Sequence, residues 1–286
     1  MTVAKTGPVQ TVIFLHIHKT AGTTLNRIIE RQYPMQQIWT LDEQHTLDDL
    51  LGLSQAQRAQ IRMLRGHMIF GLHEHMPGPS NYFTLLRDPI ERVISFYYFI
   101  RRNPNHYHFA PITSGDLGLR EVLDLRLNNM MDNGQTRMLA GAEQYKYPVG
   151  ACAQDLLEAA KRNLRESFSV VGLMERFDET LLLLKQAYSW RNVRYVRQNV
   201  TGGRPLPAEL PQATLDLVTE YNQLDLELYQ YAVALFEEQV RKQGSRFARQ
   251  VRLFRATNSS LARLEYLDPK SYGRRLRDSV RQRLGR

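Results

Sequence analysis

FLHIHKTAGTTL, from Phe14 to Leu25, decides how the rest of this 286-residue chain reads. An apolar run, Thr11–Leu15, gives way to Lys19, Gly22, Thr23 and Thr24, and then to a helical pattern. A strand, a turn of small residues and a helix, in that order, form a cradle for a phosphate-type anion. The first N–H groups of a helix have no intrahelical acceptor, and the helix dipole adds positive potential at the same point. Lys19 adds a full charge and the hydroxyls of Thr20, Thr23 and Thr24 add donors, while His18, Ala21 and Gly22 complete the loop. The plainer alternative is a strand-to-helix turn capped by Thr23.

The loop is neither of the common nucleotide fingerprints. A Walker A loop places its Lys after the second Gly, whereas Lys19 precedes Gly22, and no G-x-G-x-x-G is present. The loop also lacks acidic residues for magnesium. It is built to hold anionic oxygens with protein donors.

Composition is that of a globular protein, with 43% hydrophobic and 23% charged residues. Cys152 is the only cysteine, so no intrachain disulfide forms and a reducing compartment is expected. No run approaches 18 apolar residues and MTVAKTGPVQ has no apolar leader core, so a cytoplasmic protein is expected. Charge is uneven. Residues 241–286 hold 12 Arg and 2 Lys against 3 acids, a balance of +11; residues 1–240 hold 24 basic and 26 acidic residues, a balance of −2. The division expected is a body over 1–240 and a basic, mostly helical extension over 241–286.

Along the body, apolar runs predict strands at Thr11–His16, Met63–Gly66, Asn81–Leu86, Ser169–Leu173 and Arg191–Val196. Helical patterns occupy Thr24–Gln32, Thr46–Leu51, Ser54–Arg62, Ile90–Arg102, Leu119–Leu127, Gln154–Glu166 and Phe177–Ala187. A further helix over Ala213–Lys242 is expected to break near Tyr221–Asn222. Asn103–Asp116 and Thr201–Pro211 read as loops. Strands alternating with helices predict an α/β fold with a parallel sheet, whose ligands sit at the carboxyl ends of the strands.

A second constellation lies in LLRDPIERVISFYYFIR, Leu85–Arg101. Arg87 stands at a strand end, Asp88 suits an N-cap and Pro89 the first helical position. Ser95 lies two turns into the helix and shares a face with Arg92. Arg87 with Ser95 can grip a second phosphate. The aromatics Phe96 and Phe99, with Ile100, read as core.

HIHKTAGTTL and LLRDPIERVISFYYFIR together resemble the two cofactor motifs of carbohydrate sulfotransferases, with the uronyl 2-O-sulfotransferases and related bacterial enzymes as the nearest cousins. The segments Arg65–Gly78, Asp132–Gly141, Val170–Leu184 and Asn222–Ala232 are family-like too, and the resemblance spans about residues 11–236. It implies a P-loop-NTPase-like parallel sheet flanked by helices, with a helical C-terminal part. It implies that Lys19 and the first loop bind the 5′-phosphosulfate of 3′-phosphoadenosine 5′-phosphosulfate (PAPS), and that Arg87 and Ser95 bind its 3′-phosphate. It implies that His67, in the Gly-His segment, is the base. In the 2-O enzymes a second His stands two residues before the base; here that position is Arg65.

Sulfuryl transfer needs donors for the leaving oxygen, a task for Lys19 and the loop N–H groups, and a base of near-neutral pKa, which suits a His. Of eight His, all before residue 109, His67 is the choice; Glu74 or another carboxylate is the alternative base. His73-x-His75 and His106-x-His108 have metal-ligand spacing but no partner pattern, so no metal is expected. The acceptor is expected to be a carbohydrate hydroxyl, met by loops such as Asn103–Gly118 and Thr201–Pro211. No nucleic-acid motif is present. The alternatives are a P-loop-type phosphotransferase and a non-catalytic nucleotide- or polyanion-binding module. In the tail, Phe247, Val251, Phe254 and Leu261 form a stripe flanked by Arg246, Arg249, Arg252 and Arg255. Such a helix could lie on a membrane surface, grip a polyanion or dock on the body.

Overall fold

The computed structural model describes residues 10–196 and 205–267. The leader reading over residues 1–9, the start of the Thr201–Pro211 loop and the side chain of Leu261 lie outside what is described.

Five strands form one parallel sheet: β1 (Thr11–Leu15), β2 (Ile38–Leu41), β3 (Met63–Gly66), β4 (Ser80–Leu86) and β5 (Phe168–Leu173), in the order β2-β3-β1-β4-β5. All five residues of β1 are buried, as a central parallel strand requires. β1 pairs with β3 on one side, Leu15 opposite Gly66, and with β4 on the other, Phe14 opposite Phe83. The chain leaves β1 toward β3 and leaves β4 toward β5. The crevice where such a sheet takes ligands therefore lies between the carboxyl ends of β1 and β4.

The helices are α1 (Gly22–Ile29), α2 (Leu47–Gly52), α3 (Gln55–Arg58), α4 (Pro89–Ile100), α5 (Phe109–Ser114), α6 (Leu119–Asp124), α7 (Gly134–Ala140), α8 (Gln154–Ser167), α9 (Phe177–Ala187), α10 (Gln212–Glu220), α11 (Gln223–Lys242) and α12 (Arg246–Leu267). Local chemistry sets several starts. Thr46 with Asp49 and Ser54 with Gln57 form capping boxes at α2 and α3. Asp88 accepts from the Glu91 N–H at 2.9 Å, with Pro89 at the first position of α4.

Five expectations change, one being α7, where no helical pattern was read. β2 was not anticipated; it is a four-residue edge strand, mostly half-buried, too short to carry a pattern. Arg191–Val196 is not a strand. Its alternation records the burial of Val193, while side chains meet its backbone: Arg31 and Gln32 donate to the carbonyls of Arg194 and Asn192, and Asn258 accepts from the Tyr195 N–H. The expected loop Asn103–Asp116 contains α5. The helix expected over Ser54–Arg62 is the single turn α3.

The break between α10 and α11 is held by a reciprocal pair of caps. Asn133, left-handed at φ 50°, accepts from the N–H groups of Leu224 (2.9 Å) and Asp225 (3.1 Å) at the start of α11. Asp225 in return accepts from the N–H groups of Gln135 (3.1 Å) and Thr136 (2.7 Å) at the start of α7. Asp225 is fully buried and faces the equally buried Arg92 at 3.4 Å. Arg92 therefore turns into the interior, to Asp225 and the Met130 carbonyl, away from the ligand crevice.

The basic tail helix docks. Phe247, Val251 and Phe254 are buried in the same cluster as the sheet core, and Arg255 pairs with Asp178 and Glu179 of α9, at 3.1 Å each. The described part of its apolar stripe, Phe247, Val251 and Phe254, packs on the body. Among the described residues, no helix is long and apolar enough to cross one.

Candidate active site

A cleft of about 880 Å³ opens at the carboxyl edge of the sheet between β1 and β4. Its floor is the β1–α1 turn. Lys19 and Ala21 are both left-handed, at φ 69° and 68°. Each such non-Gly residue costs on the order of 1–3 kcal/mol, a strain found at ligand clamps. Ala21 is the N-cap of α1 and has no side chain to offer, so Thr23 is not the cap. The first backbone donation inside the helix is Leu25 N–H to the Ala21 carbonyl at 3.2 Å. The helix start thus faces the cleft without a side-chain cap, the arrangement that favours an anion.

Gly22 is dictated by His16. A Cβ at Gly22 would lie 1.7 Å from His16 Nε2, so any side chain there would expel the imidazole. Of the anticipated loop residues, His18, Lys19, Ala21, Gly22, Thr23 and Thr24 line the cleft. Thr20 does not. It is fully buried and its hydroxyl donates to the Ile17 carbonyl at 2.8 Å, bracing the turn from below. Lys19 Nζ sits 4.0 Å from the centre of the Phe99 ring, a cation–π contact that carries the ammonium across the cleft. Phe99, expected in the core, is half-buried and part of the wall.

Arg87 and Ser95 line the same cleft from β4 and α4. The Arg87 guanidinium donates to the Lys19 carbonyl (3.3 Å) and pairs with Glu91 (2.9 Å). Its backbone is clamped by Gln135, whose Oε1 accepts from the Arg87 N–H (3.0 Å) and whose Nε2 donates to the Arg87 carbonyl (2.9 Å). The reciprocal caps at α7 and α11 thereby fix the strand end that presents Arg87.

His67 follows β3 and also faces the cleft. Its Nδ1 lies 2.8 Å from the His16 carbonyl oxygen. A carbonyl only accepts, so Nδ1 carries the proton and the neutral ring keeps its lone pair on Nε2, the tautomer a general base requires. The ring is sandwiched between His16 (4.2 Å between centroids) and His18 (3.6 Å). Surrounding protein mass lowers the His67 pKa first; the His16 carbonyl opposes this and the Lys19 charge adds to it. Burial also drives His16 well below the ordinary histidine range and His18 to about 2, with the neighbouring imidazoles adding to both. Charging one ring would therefore disfavour charging the next, and the stack stays neutral.

Arg65, at the position of the second family His, is buried outside the cleft. It donates to Thr40 (2.9 Å), the Asn26 carbonyl (3.1 Å) and Glu30 (2.8 Å), tying β3 to β2 and α1. His73, Glu74 and His75 lie on a separate turn, Leu72–His75, where His73 meets Tyr82, and none lines the cleft. Glu43, Asn103, Asn105, Tyr107, Glu175 and Tyr195 also line the walls and were not singled out by sequence; His106, which was, lines them with Met174 and Phe177. Only the Asn103–Gly118 loop carried a signal, as a polar segment following the second motif.

A model of the galactose-3-O-sulfotransferase family matches residues 1–278. The chain belongs to the galactose-3-O-sulfotransferase family. Heparan-sulfate 6-O-sulfotransferase 1 of Homo sapiens is 28% identical over 274 residues, which cover 79% of this chain and 66% of that protein. Heparan-sulfate 6-O-sulfotransferase 1-B of Danio rerio is 25% identical over 289 residues, 85% of this chain and 70% of that protein. Galactose-3-O-sulfotransferase 3 of Bos taurus is 26% identical over 264 residues, 82% of this chain and 58% of that protein. The chain thus spans about two thirds or less of the human and bovine relatives. The resemblance to carbohydrate sulfotransferases stands; these relatives are 6-O and 3-O enzymes, whereas the motifs had pointed to the uronyl 2-O branch. The family match runs to residue 278, through the docked helix α12 and past the charge boundary at 240.

Proposed function

We propose that this member of the sulfotransferase family transfers the sulfuryl group of PAPS to a carbohydrate hydroxyl. One observation carries the reading: the strained, uncapped β1–α1 turn, Arg87 with Ser95, and a neutral His67 all face one cleft at the switch point of the sheet. The residues suit the donor's chemistry. Lys19 and the start of α1 would hold the phosphosulfate, with the hydroxyls of Thr23 and Thr24 beside them. Arg87 and Ser95 would hold the 3′-phosphate, completing a two-point grip that a nucleoside triphosphate cannot satisfy.

In the reaction the acceptor oxygen forms a bond to sulfur as the bond from sulfur to the 5′-phosphate oxygen breaks. Lys19 stabilises the charge left on that phosphate oxygen. His67 Nε2 takes the hydroxyl proton, and the imidazolium formed keeps Nδ1–H on the His16 carbonyl.

Calorimetric titration with 3′-phosphoadenosine 5′-phosphate (PAP) and with ATP tests the donor assignment. The bisphosphate is expected to bind and ATP to bind far more weakly. Binding of ATP without the bisphosphate would overturn the reading in favour of a phosphotransferase.

A further inference from the structure

Lys19 is the charge at the centre of the cleft, and its placement is not left to its own stem. A lysine carries a compact charge on a flexible chain, with much rotamer freedom to lose. An ammonium that wanders stabilises a leaving oxygen only in the few positions that face it. Here Nζ sits 4.0 Å from the centre of the Phe99 ring, on the helix opposite the turn that carries Lys19.

Phe99 is built to hold it. It lies one helical turn after Ser95 on α4, so the two share the face that lines the cleft. The ring is itself braced. It lies nearly parallel to Phe96, with 6.4 Å between centroids, and edge-on to His106 at 6.0 Å. Phe96 is buried and reaches His18 at 5.3 Å, so the brace runs back into the imidazole stack. Glu43 and Glu175 line the same cleft, and a carboxylate can also hold an ammonium. A carboxylate neutralises the charge, however. An aromatic face attracts it through the ring quadrupole and leaves the charge whole, with N–H groups still able to donate.

We propose that Phe99 is a positioning residue for sulfuryl transfer: its ring holds the Lys19 ammonium where it stabilises the leaving phosphate oxygen. The proposal rests on the sulfotransferase reading. Phe99 acts through Lys19 and not on the reacting atoms. The charge it holds also bears on the base, adding to the lowering of the His67 pKa that burial begins.

The test asks whether Phe99 matters only while Lys19 is present. Phe99→Leu keeps an apolar side chain and removes the ring. It is expected to lower kcat roughly ten- to a hundredfold, with acceptor KM and melting temperature near wild type. Phe99→Tyr keeps a ring face and should retain most of the turnover. In a Lys19→Met background, Phe99→Leu should change kcat by less than about twofold, because the group it acts through is gone. Increasingly fluorinated phenylalanines at position 99 drain the ring quadrupole while nearly keeping its shape, and kcat should fall stepwise along that series. The series decides the matter even if Phe99→Leu fails to fold. In the protein without donor, the ring should shift the Lys19 ε-methylene protons upfield in the NMR spectrum. Additive losses in the double variant, a flat fluorination series or the absence of that shift would overturn the proposal. So would a loss carried by KM, which would make Phe99 a contact for the acceptor. Failure of the wild-type protein to bind PAP would instead overturn the sulfotransferase reading beneath it, while the proton shift would still report the ring's hold on Lys19.

Discussion

The turns after β1 and β4 are both strand-to-helix turns at the same sheet edge, and they are built in opposite ways. The second is locally satisfied: Asp88 caps α4, Pro89 fills the first position, and Gln135 bonds both backbone groups of Arg87. The first has no side-chain cap and holds Lys19 and Ala21 in a strained conformation. One helix start is capped by its own sequence and braced by Gln135, and offers the ligand only a side chain. The other leaves its dipole and charge directed at the cleft. Function should therefore concentrate at the first turn and stability at the second.

The largest expected effect falls on the side of the uncapped turn, where His67 leans on the His16 carbonyl. His67→Ala should lower sulfate transfer by roughly a hundred- to ten-thousand-fold while leaving PAP affinity near wild type. Radiolabelled transfer and calorimetry separate the two quantities; near-normal turnover would move the base elsewhere. Asp225→Ala should cost on the order of 3–5 kcal/mol in urea unfolding, because it strands a buried Arg92 and uncaps α7. A loss under 1 kcal/mol would show that the second turn is not held from behind.

Lys19→Gly sharpens the contrast within one residue. Turnover should fall roughly a hundred- to a thousand-fold, the cost of losing one positioned electrostatic donor. The melting temperature should hold or rise, since glycine adopts φ 69° without strain. At the other turn, Asp88→Ala should cost about 1 kcal/mol of stability and little donor affinity. If it instead costs more affinity than Lys19→Gly, the division of labour between the turns fails.

Acidity probes the imidazole stack beside the first turn. His16, His18 and His67 all have folded pKa values below the unfolded value near 6.5. The unfolded chain therefore binds more protons below that pH, and stability should be full above 6.5 and fall steadily as pH drops through it. The acid limb of kcat/KM should likewise lie below 6.5, because His67 remains a free base there. A urea midpoint insensitive to pH between 7 and 5 would argue against the neutral stack.

Much of this was legible in the sequence, for identifiable reasons. β1, β4, α4 and α9 announce themselves because burial and period agree within each segment, and Asp88 caps α4 as well. The break at Tyr221–Asn222 was legible as well, since both flanking helices keep their own stripe. What escaped depends on partners far along the chain. Asp225 bonds residues about 90 positions away, so its role leaves no local trace. Arg92 shares a helix face with Ser95 on paper, but that face divides between Asp225 and the cleft. Thr20 counts as a hydroxyl donor in any tally, yet its backbone position points it at Ile17. The stacking of three imidazoles needs the ends of β1 and β3 side by side, which only the sheet order supplies.

The docked helix α12 changes how the molecule can be handled. Asn258 accepts from the Tyr195 backbone, and Arg255 pairs with Asp178, whose other oxygen accepts from the Tyr195 hydroxyl. Tyr195 is itself part of the cleft wall. Trimming the chain at the charge boundary, to simplify purification or remove a sticky basic end, would thus take out the buttress of a binding-site wall.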